Sequence, residues 1–135
     1  MLRVIQEHLQ SIYQIQAPDV RPFLVDAAAV AELLGPDARD ADEWVLLRQD
    51  GEDVDLAVYI ADEHLERLAR VETPGQAVAE CFSSFCAATE GVSHFLMIIE
   101  RARREEPVRM LELELQAEID KFVSAWLHHP QRHRQ

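Results

Sequence analysis

The chain has 135 residues, 48% hydrophobic and 28% charged, a mixture that suits one globular domain spanning 1–135 and excludes a disordered chain. Its 25 acidic and 13 basic side chains leave a formal charge of −12, which repels phosphate backbones and anionic membrane surfaces. Neither nucleic acid nor membrane is therefore expected as a partner. A basic or neutral protein, or a second copy, fits better.

Residues 2–15 predict an amphipathic helix, with Leu2, Ile5, Leu9, Ile12 and Ile15 at helical spacing, ended by Pro18. Glu7 and His8, with Gln6, interrupt the apolar character that a signal peptide would need. Val20 to Val25 reads as a short strand, with Pro22 tolerable at an edge. Asp26 is placed to cap a helix over Ala27–Leu34, which Gly35-Pro36 closes. A charged loop over 37–43 follows. Trp44–Arg48 and Val54–Ile60 then flank Asp50-Gly51 as a hairpin. A two-residue turn there pairs Leu47 with Val54 and Val45 with Leu56, and turns Val45, Leu47, Val54, Leu56, Val58 and Ile60 to the core. Tyr59 falls on the more polar face.

Asp62 can cap a helix to Val71, with Leu65 and Leu68 inward. Thr73-Pro74-Gly75-Gln76 is a stronger start: a cap, a proline suited to the first turn and a capping-box glutamine. The helix that follows carries Val78, Phe82, Phe85, Val92, Leu96 and Ile99, and Gly91 predicts a kink. Its longest strongly apolar run, Phe95–Ile99, is too short to span a bilayer. Cys81 and Cys86 on this helix form neither a redox pair nor a zinc knuckle. They read as free buried thiols of a reducing cytoplasm. After a turn over Arg101–Glu106, Pro107 opens a last helix to about His128. Its main stripe is Val108, Leu111, Leu115, Ile119, Phe122 and Trp126, and Met110, Leu113 and Ala117 form a second strip. A tail over 129–135 reads as mobile.

The predicted fold is α+β: a small three-stranded antiparallel sheet, helices mainly on one face, and a long C-terminal helical pair. No glycine-rich phosphate loop exists, since Gly35, Gly51, Gly75 and Gly91 are isolated. Ser83, Ser84 and Ser93 lie on a helix rather than a strained elbow, and Cys86 is about 12 Å along the axis from His94, too far for a nucleophile–base pair. No cofactor is expected. The alternative reading is a metal site that uses Glu90 and His94, four apart, with Glu118 or Glu114 of the last helix converging across an antiparallel turn, a weak pattern because Gly91 sits inside the first pair. His128, His129 and His133 are a second, less organised imidazole group. Asp50, Glu52 and Asp53 stand at the centre of an acidic stretch that includes Asp42, Glu43 and Glu63. It reads as a solvated face or a dock for a basic protein. The resulting expectation is a non-catalytic interaction or regulatory module in the cytoplasm, a homodimer through Met110, Leu113 and Ala117. The alternative is a small metal-dependent enzyme or metal sensor.

Overall fold

The structure, a computed structural model, describes residues 1–51 and 53–130, with the backbone alone at 39, 49, 50 and 54. The fold is α+β, with six α-helices and a three-stranded sheet in the order β1-β3-β2 among the described residues.

Helix α1 spans Leu2–Tyr13 and buries Leu2, Ile5 and Leu9, as their spacing requires. Gln6 is buried with them. Its amide donates to the Pro18 carbonyl at 2.7 Å, and its oxygen accepts from the Val20 N–H at 2.8 Å, pinning the following segment. That segment is mostly not a strand. Pro22 sits in a short 3₁₀ turn, Arg21–Phe23, leaving only Leu24–Val25 as β1. A proline fixes φ and removes a ladder donor, so pairing starts only beyond it.

Helix α2, Ala27–Leu34, has the expected ends: the Asp26 carboxylate accepts from the Ala29 N–H at 2.8 Å, and Gly35 follows at φ 100°. The hairpin strands β2 (Glu43–Asp50) and β3 (Asp53–Ile60) close at the pair Asp50↔Asp53, so the turn begins at Gly51, φ 63°. Leu47 therefore pairs with Leu56 and Val45 with Val58, two residues off the expected register. An even slip preserves the faces. Val58 and Ile60 enter the main core, while Leu47 at the far end stays exposed. Tyr59 is a correction. It points to the opposite face but is buried, because α2 covers that side with Val30. β1 pairs with β3 in parallel, not antiparallel, after a crossover long enough to carry α2.

Helices α3 (Asp62–Ala69), α4 (Pro74–Glu80), α5 (Phe82–Arg103) and α6 (Met110–His128) complete the chain. Thr73 Oγ1 accepts from the Gln76 N–H, and Gln76 Oε1 accepts from the Glu72 N–H, the expected start of α4. The helix breaks at Cys81 and not at Gly91. At Gly91 a Cβ would meet the Ile60 side chain at 3.2 Å, so the glycine serves close approach of α5 to β3. Both cysteines are free and half-buried, and burial raises both thiol pKa values. α5 is long and apolar enough to cross a membrane, but 67% of its apolar window is buried in this fold, against α1, α3, α6 and the sheet.

α5 and α6 run antiparallel, as the cross-links show: Arg101 with Glu112, Ser93 with Asp120, Glu90 with Lys121. Arg101 also holds Glu106 at 3.0 Å, locking the turn between them. α6 turns Leu113, Ala117, Asp120 and Ser124 inward. Two of these are small residues that let helix axes come close. Leu113 and Ala117 are thus core and not an outward dimer strip. Met110 alone of that strip is exposed.

Candidate functional site

Glu90 and His94 lie one turn apart on the unbroken α5 and share a face. Glu43, the first residue of β2, pairs with Ile60 beneath that face. Its carboxylate is turned inward, not into the solvated acidic surface expected for it. A carboxylate only accepts, so His94 Nδ1 donates to Glu43 Oε2, at 2.9 Å. The other nitrogen, Nε2, has no hydrogen-bond partner, although the His94 side chain is only 4% exposed. Glu114 Oε1, from α6, stands 3.6 Å from it, beyond hydrogen-bonding distance. Glu90, His94 and Glu114 bring one potential ligand atom each within 4.8 Å of one another. They line a cavity of about 340 Å³ with Glu43, Trp44 and Met110.

Burial opposes charge on His94, but its hydrogen bond to Glu43 and the negative charges of Glu43, Glu114 and Glu90 outweigh it, raising its pKa above the ordinary 6.5. Burial also raises the pKa of Glu90, against the opposing charge of Lys121. Glu118 does not join the group. One turn beyond Glu114, about 6 Å along the axis, it is exposed and pairs with Lys121 at 2.5 Å. Glu114 takes the place expected of it, because the helical hairpin brings the earlier turn level with His94.

A second histidine, His64 on α3, belongs to no motif in the sequence. The Ser84 hydroxyl meets its Nδ1 and the Asp42 carboxylate its Nε2, each at 2.8 Å. The residue order is that of a Ser-His-Asp triad, but the ring nitrogens are exchanged, since a triad serine meets Nε2 and its aspartate Nδ1, and the burial is inverted. Ser84 is fully buried and the Asp42 side chain is 75% exposed, so no substrate carbonyl reaches the hydroxyl. Both ring nitrogens of His64 are hydrogen-bonded, so unlike His94 it leaves no unpartnered atom beside Asp42 and Glu63. It fastens α3 to α5 and to the entry of β2.

Asp120 is likewise structural. Tyr13 Oη and Gln116 Nε2 donate to Oδ1, and the Ser93 hydroxyl donates to Oδ2 at 2.6 Å, joining α1, α5 and α6. Burial, then the hydrogen bond and charge of Asp120, push the Tyr13 pKa up, so its hydroxyl stays a donor. His128 packs on His8 at 4.4 Å between ring centroids, and His133 lies outside the described residues.

The face of α6 opposite the core carries Leu111, Leu115, Ile119, Phe122 and Trp126, between 53% and 72% exposed. This is the stripe expected to be the main buried one. Of the hairpin acids, Asp53 is exposed, while Glu52 and the Asp50 side chain lie outside the described residues. No protein-family model matches this chain, nor does any curated protein or solved structure.

Proposed function

We propose that this protein is a non-catalytic, self-associating interaction module of the cytoplasm, in which α6 pairs antiparallel with α6 of a second copy. The observation that carries this reading is the exposed stripe Leu111–Leu115–Ile119–Phe122–Trp126. Contiguous exposed apolar surface of this kind marks interaction sites. The stripe runs about 22 Å along the helix. Its spacing supports a second copy as occupant. Reversed about its middle, it places Leu111 against Trp126 of the second copy and Leu115 against Phe122, each large side chain facing a smaller one, with Ile119 near the two-fold axis. A parallel pairing would set Glu114 and Glu118 against their own copies and stack aromatic on aromatic.

One helix pair makes a small interface, so the dimer is of micromolar affinity. Two copies of charge −12 repel, so added salt tightens the dimer. A basic protein partner on the same face would show the opposite salt dependence. Sedimentation equilibrium over a micromolar concentration series tests the reading. The expected result is a monomer–dimer equilibrium that strengthens with sodium chloride and is abolished by Leu115→Glu with Phe122→Glu, with the melting temperature unchanged at dilutions where the wild type is monomeric. A wild-type chain that stays monomeric throughout, or a double variant that still dimerises, refutes it.

A further inference from the structure

Buried polar atoms in folded proteins are nearly all paired. Among the described residues, four buried side-chain nitrogen or oxygen atoms are not: Arg3 Nη1, Thr89 Oγ1, Ser124 Oγ and His94 Nε2. Only the last is set among other groups that ligate metals. Its partner nitrogen is already committed, since Nδ1 donates to Glu43. That hydrogen bond fixes the tautomer in which a neutral ring keeps a lone pair on Nε2, the atom 3.6 Å from Glu114 Oε1. A carboxylate on the distal nitrogen is the usual support of a metal-bound histidine.

We infer that Glu90, His94 and Glu114 form a binding site for a divalent first-row transition cation, zinc, manganese or iron(II), with Glu43 orienting the imidazole. His94 Nε2 and one oxygen from each of Glu90 and Glu114 are the ligands. Ligand atoms around such a cation stand about 2.0–2.2 Å from it, hence at most about 4.4 Å from one another. The observed group already lies within 4.8 Å, so small rotations close it. Glu114 is free to make one, its side chain being 52% exposed. Two carboxylates and a neutral imidazole balance a divalent charge. One nitrogen with two oxygens suits the metals named and neither copper(I), which takes sulfur, nor calcium, which takes oxygen alone. Three protein ligands leave a coordination position facing the cavity beside Trp44 and Met110, as in zinc sites that bind water or a small anion. Lys121, 3.5 Å from Glu90, retains Glu118 as its partner when the metal draws Glu90 away. The site is independent of the outward stripe of α6, so neither reading depends on the other.

The competing occupant is a proton, making His94 an imidazolium between Glu43 and Glu114 and nothing more. Calorimetric titration of the metal-stripped full chain with zinc chloride, and separately manganese chloride, decides between them. His129→Gln with His133→Gln serves as a control for adventitious binding by the tail. The expected result is one equivalent bound, unchanged in the tail variant, weakened beyond detection in His94→Gln and about 10- to 100-fold weaker in Glu43→Gln. If His94→Gln does not fold, Glu114→Gln decides: its partly exposed side chain permits folding, and affinity must fall at least tenfold. Absence of binding by the wild-type chain, binding lost in the tail variant, or binding unaffected by Glu114→Gln overturns the assignment.

Discussion

Glu43 and His94 are 51 residues apart in the chain and 2.9 Å apart in space, and both side chains are more than nine-tenths buried. The carboxylate at the start of β2 thereby decides which nitrogen of an α5 histidine carries its proton. Removing one partner of a buried pair leaves the other uncompensated. In metal-stripped protein, Glu43→Ala is expected to cost about 3 kcal/mol of stability near pH 6. The His94 pKa is raised in the folded state above its ordinary 6.5. The stabilisation is therefore fully present below 6.5 and lost as pH rises through the raised value. Urea unfolding across this range should show the gap between wild type and variant shrinking toward alkaline pH. A constant gap means that the pair is not charged in the native state.

Leu111 and Leu113 should respond oppositely to truncation. Leu113 is 3% exposed and Leu111 is 72% exposed. Leu113→Ala is expected to destabilise by about 2–5 kcal/mol, and Leu111→Ala by about 0.5 kcal/mol or less. Denaturant midpoints measured at low protein concentration, where monomer dominates, check this. Equal losses would mean that α6 is rotated relative to the packing described.

Ser84 is expected to be chemically inert despite its contact with His64. A fluorophosphonate probe should leave it unlabelled, because the hydroxyl is fully buried. Ser84→Ala should remove one hydrogen bond to His64, at a cost of about 1 kcal/mol. Stoichiometric labelling at this position would make the Ser84–His64–Asp42 array catalytic after all.

Gly91 tests the packing of α5 on the sheet. An added Cβ already lies 3.2 Å from Ile60 and 3.4 Å from Val58, both fully buried and unable to retreat. Gly91→Val should destabilise by about 3 kcal/mol, although glycine itself is the poorer helix former. A neutral or higher melting temperature would show that α5 and β3 can separate.

Local chemistry was readable in the sequence because it needs only neighbours. Asp26 and Thr73 cap the helices they were expected to cap, and Gly35 ends α2 at a positive φ, though with an extended ψ and not in the left-handed helical turn expected. Glu90 and His94 share a face because helical geometry demands it. Other elements depended on what packs nearby. Tyr59 looked solvent-facing until α2 covered it. Gly91 looked like a kink, but the sheet it touches lies more than thirty residues earlier in the chain. His64 stood among charged residues, with nothing local to mark its buried contact with Ser84.

The sequence alone determined a strongly acidic α+β chain, its hairpin, its capped helices and two apolar strips on the last helix. It could not decide which strip was core, since hydrophobic periodicity sets the strips' angles on the helix and not which neighbour they meet. Tertiary structure chose Leu113 and Ala117, because the small Ser124 and the hydrogen-bonded Asp120 on that side let α6 close onto α5. The larger apolar side chains were left outside. The same closure brought Glu114, rather than Glu118, level with His94. Glu43 reached the site only because the sheet carries a distant carboxylate under α5.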